Sequence, residues 1–217
     1  APYEKLGFAR PVVLDANGAW EAVLENAFDI IVTGEVNGAE VLEFKLPWGD
    51  GKRAALDNEK SVQIVNDIYR IRTLSDEKGT DGATLTTVYA EAAFYDLAFS
   101  AEKQPTEFNA DAPDVPMRYA LDGTGWSLGT VNVSTLRTWQ CQEKNALAIL
   151  RAVQNIHGGD LLFDSANRLV HLLTFSGKES GTLFAYRKNL NSIKRVVDTR
   201  SLVTRLYAYG KDGMTFA

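Results

Sequence analysis

Two β-prone runs, residues 28–36 and 39–46, meet at Asn37-Gly38, and no other feature constrains the fold of this chain as strongly. Asn-Gly favours a two-residue type I′ turn, in which both central residues take positive φ and the turn twists with the strands it joins. The chain is therefore committed to an antiparallel pair. Pairing about that turn sets Ile31 opposite Phe44 and Thr33 opposite Leu42 on one face, with Val32 opposite Glu43 and Ile30 opposite Lys45 on the other. The first face is the drier, as expected where one side of an antiparallel sheet packs on a core.

Residues 61–66, 68–74 and 83–90 continue as strands, 76–82 reads as a loop, and 92–99 reads as a short helix. This half reads as a small barrel or meander. The composition changes at Gln104-Pro105, and two more prolines within 110–116 mark a domain boundary. The strongest helical pattern follows at 143–157, where Ala146, Ile149, Leu150, Val153 and Ile156 recur at helical spacing and Gly158 supplies the stop. Residues 161–164 and 168–173 form a second hairpin about Ser165-Ala166-Asn167, and strands at 182–187, 192–197 and 203–209 complete the chain. Strand and helix do not alternate as a parallel sheet requires, so the class is α+β and predominantly antiparallel β.

No apolar run approaches the roughly 18 residues of a membrane span, and the N-terminal residues lack the basic and apolar stretches of a secretory signal. A net charge of −5 argues against sequence-specific nucleic-acid binding. The charge is uneven. Arg187, Lys188, Lys194, Arg195, Arg200 and Arg205 face one acid, Asp198, so this segment carries +5 and the remainder −10. A solvated strand face, head-to-tail self-association and contact with DNA are three readings of such a strip.

Several motifs invite chemistry. Gly125-Trp126-Ser127-Leu128-Gly129 matches the G-x-S-x-G nucleophile elbow, and Asp160, Asp164 and His171 follow in hydrolase order. The β-branched run 130–134 cannot form the helix an elbow needs, so the glycines shape a turn around a buried Trp126 instead. His157, where a helix end favours a cation, and His171, within a strand, read as structural. Asp96, Glu102, Asp160 and Asp164 are candidate paired carboxylates for glycan cleavage, and Trp20, Trp48, Trp126 and Trp139 a candidate sugar platform. The single cysteine, Cys141, forms no internal disulfide, and no metal, nucleotide or cofactor motif is present. Asn132-Val133-Ser134 is a formal glycosylation sequon.

Four ordered stretches resemble the N-terminal baseplate-hub region of the phage minor structural protein family, also called prophage tail endopeptidase or tail-associated lysin. Residues 33–44 (TGEVNGAEVLEF) resemble its "T-E-x-N-G-x-x-x-L-x-F" hairpin. Ile68-Tyr69-Arg70-Ile71 followed by residues 88–97 resembles its "A-E-H-x-x-Y-D-L" junction, with Ala92 where the family has His. Residues 145–164 resemble its helix, glycine stop and "G-E-L-x-F-D" strand, with Asp160 for the usual Glu. Residues 202–213 resemble its "L-x-T-R-L-x-x-x-G-K-D-G" return strand.

The resemblance implies a hub-like β-barrel domain at 1–104 and 198–217, interrupted by an α+β insertion at 105–197. It also implies a homotrimer at a phage or prophage tail tip that closes the tail channel and meets the distal tail and tail tube proteins. The tape-measure protein is a further candidate partner. The expected location is the virion, with the host cytoplasm during assembly. No catalytic role follows for these residues, since a peptidoglycan hydrolase would occupy a C-terminal extension. Lys194, Arg195, Arg200 and Arg205 become candidate subunit-interface residues. The alternatives are a glycan- or peptidoglycan-acting hydrolase and a carbohydrate-binding module.

Overall fold

The computed structural model describes residues 3–5, 9–80 and 82–177, with isolated positions 181, 183 and 185. Outside these lie Lys194, Arg195, Arg200, Arg205, the return segment 198–217 and the strands expected at 192–197 and 203–209, together with 182–187 apart from positions 183 and 185. Ala1–Ser176 is one compact unit.

Its first lobe carries β1 (Tyr3–Lys5), β2 (Val12–Leu14), β3 (Trp20–Val23), β4 (Phe28–Gly34) and β5 (Glu40–Pro47), then β6 (Ser61–Ile64), β7 (Asp67–Lys78) and β8 (Thr84–Ala92). These form an eight-stranded antiparallel sheet in the order β1-β4-β5-β8-β7-β6-β2-β3, curled into a half-barrel with β1 and β3 at its two ends. Alternation builds the inner face. Leu42, Phe44 and Leu46 of β5 point inward with Val88 and Ala90 of β8, Tyr69 and Ile71 of β7, and Val62 and Ile64 of β6. Each large aliphatic side chain or Phe so buried contributes about 1.5–3 kcal/mol.

The Asn37-Gly38 hairpin forms, one residue out of the expected register. Ile31 pairs with Glu43, Val32 with Leu42 and Thr33 with Val41. The cause is the turn. Glu35 N–H donates to Ala39 C=O and Gly38 N–H to Glu35 C=O, so three residues rather than two lie in the connection. Asn37 takes positive φ (57°) and Gly38 does not. Gly38 is required for space instead, since a Cβ there would lie 2.6 Å from Glu35 Cβ. A slip of one residue turns β4 over, so Ile30 and Val32, not Ile31 and Thr33, face the core. The expected loop at 76–82 also shortens: β7 runs to Lys78 and the turn closes through Gly79 N–H to Ala83 C=O.

A 3₁₀ segment, Ala93–Phe99, leads through residues 100–105 into the second lobe. That lobe holds β9 (Thr106–Asp111), α1 (Asp114–Leu121), β10 (Ser127–Val131), β11 (Arg137–Cys141), α2 (Ala146–His157), β12 (Asp160–Asp164) and β13 (Leu169–Leu173). The proline-rich stretch read as a boundary thus runs into the first turn of α1. Pro116 sits in its first turn, where a backbone N–H has no helical partner to lose. α2 starts at Ala146 rather than 143 because Asn145 caps it, accepting from Ala148 N–H at 2.8 Å. It stops at Gly158, whose φ is 83°. β9 pairs with β11, and β10-β13-β12 form a three-stranded sheet. β10 and β13 are parallel, against the expectation of no parallel pairing. The intervening β11, α2 and β12 supply the long crossover a parallel pair needs. Buried residues of both lobes form one continuous core, from Val13 to Leu172.

Candidate functional site

The lobes meet along a seam with three polar or aromatic fastenings. At the β4–β5 turn, left-handed Asn37 projects its amide into the start of β12. Its Oδ1 accepts from Leu161 N–H at 2.7 Å, and its Nδ2 donates to Gly159 C=O and Asp160 Oδ1 at 3.4 and 3.3 Å. The 3₁₀ segment supplies Phe94, stacked on Phe163 of β12 with centroids 4.2 Å apart and on Tyr95 at 4.6 Å. Just beyond, Ser100 Oγ accepts from Ala146 N–H at 2.9 Å, satisfying a donor at the start of α2. The seam joins the lobes within one compact unit.

Below it, Arg70 and Arg72 of β7 tie the sheet to the 3₁₀ segment. Arg70 donates to Asp96 at 2.8 Å and to Ser61 Oγ at 2.9 Å. Arg72 reaches Glu91, Glu59 and Asp96 at 3.1, 2.6 and 3.3 Å, with its guanidinium 5.7 Å from the Phe99 ring. Nearby, Tyr69 donates to Glu40 Oε1 at 2.7 Å. Burial nevertheless raises the Glu40 carboxyl above its ordinary value, outweighing that bond, and burial with the Glu40 charge raises the Tyr69 hydroxyl.

The G-x-S-x-G residues lie at a turn and along a strand. Gly123 and Gly125 take positive φ (73° and 76°), Trp126 is buried, and Ser127 begins β10 with no helix behind it. Pairing does place Ser127, Asp164 and His171 on one outward face of the three-stranded sheet. His171 cannot act as base toward Ser127, however. Its Nδ1 accepts from Thr130 N–H at 2.9 Å, so the neutral ring carries its proton on Nε2. The ring lies against Gly129, where a Cβ would stand 2.5 Å from it.

The candidate carboxylates are each taken up separately: Asp96 by the arginines, Glu102 by Lys144 at 2.8 Å, Asp160 by Ser176 and Asn37, and Asp164 by Asn167. Donation from Ser176 N–H and hydroxyl holds Asp160 below the ordinary carboxylate range, and Asn167 does the same for Asp164. His157, read as structural, is buried, which lowers its pKa against the cation a helix end favours, and Thr135 satisfies its Nδ1. The tryptophans form no platform. Trp126 is buried and Trp139 packs on Phe108, while exposed Trp20 on β3 and Trp48 beyond β5 are separated by β8, β7, β6 and β2. Cys141 is buried, which raises its thiol to about 11. Among the described residues, no three His, Cys, Asp or Glu side chains gather as a metal site requires, and no helix is long and apolar enough to cross a membrane.

Sequence reasoning missed the second role of Asn37 and the Arg70–Arg72 cluster. Only the β-strand alternation of Arg70 and Arg72 hinted that both would share a face.

Comparison with known proteins accounts for most of the chain. Family models match in order: the prophage endopeptidase tail N-terminal domain over residues 11–92, the prophage endopeptidase tail domain over 100–172, and prophage endopeptidase tail over 178–217. No curated protein matches the sequence. Among solved structures, prophage tail protein gp18 from Listeria monocytogenes EGD-e aligns with TM-score 0.72 at 17% identity, over 96% of this chain and 65% of its own. The 43 kDa tail protein of prophage MuSo2 from Shewanella oneidensis aligns at 0.59 and 14%, over 89% and 63%. The tail protein from Neisseria meningitidis MC58 aligns at 0.55 and 11%, over 81% and 52%. The chain thus spans less than two thirds of each of these proteins.

Proposed function

The chain belongs to the prophage endopeptidase tail family of phage tail proteins, and on that premise we propose that it is a structural part of the tail tip: a trimeric baseplate hub that closes the tail channel and joins the tube and distal tail protein to host-facing parts. The observation that carries this reading is the succession of three tail-family matches along a chain whose fold aligns with a tail protein over 96% of its length.

The physical chemistry is compatible. A body that transmits load needs lobes that do not flex, and the seam supplies latch, stack and cap. A closed ring needs a heterologous contact, in which unlike surfaces meet. The basic segment containing Lys194, Arg195, Arg200 and Arg205 then faces an acidic surface of the next subunit, since the rest of the chain carries −10. Tape-measure protein is a further partner within the channel. On this reading the role of these residues is structural, and the endopeptidase of the family's description belongs to sequence outside them.

Light scattering on a sizing column, at low and moderate salt, tests the assembly. The expected mass is three times 23.9 kDa, falling with salt and with Lys194→Glu/Arg195→Glu. A monomer at every concentration, or a trimer indifferent to the charge reversal, overturns the ring or its proposed interface respectively.

A further inference from the structure

Beside the seam the lobes leave a cleft of about 670 Å³, within the range of roughly 300–1,000 Å³ typical of small-ligand sites. Turn residues 15–18 and 58–60 and strand residues of β2, β6 and β7 wall it on the first lobe, and Thr124, Trp126, Ser165 and Arg168 on the second. Glu59 (φ 66°) and Arg168 (φ 52°) both take the left-handed region on these walls. Arginine has no preference for that conformation, which glycine adopts freely and asparagine at reduced cost, and such strain concentrates where a side chain must be aimed.

The charges of the cleft are unequally spent. Asp15 accepts from Asn17 and Ala19 N–H, Asp96 holds Arg70 and Arg72, and Glu59 holds Arg72. Lys60 is taken by Glu21. Among the described residues no carboxylate or carbonyl partners the Arg168 guanidinium. One unspent cation is left over a concave surface rich in neutral donors and acceptors.

We propose that this cleft binds an acidic saccharide. Arg168 grips its carboxylate or phosphate in a charge-assisted, two-pronged contact, and Asn17, Asn58 and Ser165 address its hydroxyls. A peptide fits less well, because the strands that line the cleft, β2, β6 and β7, are each paired on both sides and offer no free edge for ladder pairing. This site is separate from the assembly role.

The test is calorimetric titration of the full chain with trigalacturonic acid, glucose 6-phosphate, maltotriose and inorganic phosphate. Saturable binding of either acidic sugar is expected, with the two acids distinguishing carboxylate from phosphate as the anchoring group. It should weaken about tenfold or more in Arg168→Gly and in Arg168→Gln, the loss typical of one charged hydrogen-bonding partner. Maltotriose should bind at least as weakly as the variants bind the acids. Arg168→Gly should also melt higher than the parent, as backbone strain is relieved, which shows that lost binding is not lost folding. Three results overturn the proposal: no binding of either acid at millimolar concentration, unchanged binding in both variants, or inorganic phosphate competing as well as the sugars, which would mean an adventitious ion only.

Discussion

Replacing Asn37 with glycine tests whether the seam is held where the geometry places it. The backbone there is left-handed at φ 57°, so glycine fits without strain. Its greater unfolded-state freedom costs about 0.5–1 kcal/mol, roughly offset by relief of the left-handed conformation. What remains is the amide. Leu161 is buried, and its N–H donates to Asn37 Oδ1 at 2.7 Å. Leaving that donor unsatisfied costs about 1–3 kcal/mol, and the contacts at 3.3 and 3.4 Å add little. For a unit of this size that is a fall in Tm of about 2–12 °C. Calorimetry reads the total, and hydrogen exchange reads the place, since Leu161 N–H should lose its protection first. Asn37→Asp sharpens the test: it keeps an acceptor for Leu161 but sets a carboxylate in place of the donor that faces Asp160 Oδ1. Its defect should shrink when acid neutralises the pair. An unchanged Tm in Asn37→Gly, with Leu161 exchanging as slowly as before, would refute the latch.

Phe94→Ala should cost about 3–5 kcal/mol, read as a denaturant midpoint, because a buried ring is removed from between Tyr95 and Phe163; a loss below about 1 kcal/mol would show that the stack joins nothing. Glu40 has a folded pKa above its ordinary 4.5 because burial opposes its charge. Its contribution to stability is therefore fully present below that value and is lost as pH rises through the folded pKa. Glu40→Gln should flatten the decline of urea midpoints as pH rises above 4.5 and raise stability at neutral pH, and parallel profiles would contradict it. Gly129→Ala drives a methyl into the His171 ring, 2.5 Å away, and should destabilise by about 1–3 kcal/mol. Adding His171→Ala should recover most of that loss in a double-mutant cycle, and strict additivity would count against the contact.

Much of the fold was legible in short windows of sequence. The alternating runs around Asn37, the helical stripe ending at Gly158, the hairpin about residues 165–167 and the glycines that turn the chain behind Trp126 all lie within a few residues of their causes. Spacing put Ile156 in the buried stripe of α2, but packing buries His157 in its place and leaves Ile156 half-buried. The expectation that the helix begins at 143 leaves the Asn145 cap unread, and Pro116 concealed α1 because proline reads as a breaker unless the first turn is recognised.

What the sequence determined by itself is therefore local: where strands and helices form and where they stop, since side-chain alternation, capping and turn conformations are properties of neighbouring residues. Tertiary structure alone decided the parallel seating of β10 beside β13 and the burial of His157. It also brought Asn37 to Leu161, 124 residues away, and Arg168 to the wall opposite Glu59. Each of these depends on which distant group excludes water or offers a partner, and a one-residue change in turn closure is enough to reverse a strand's faces without altering its pattern.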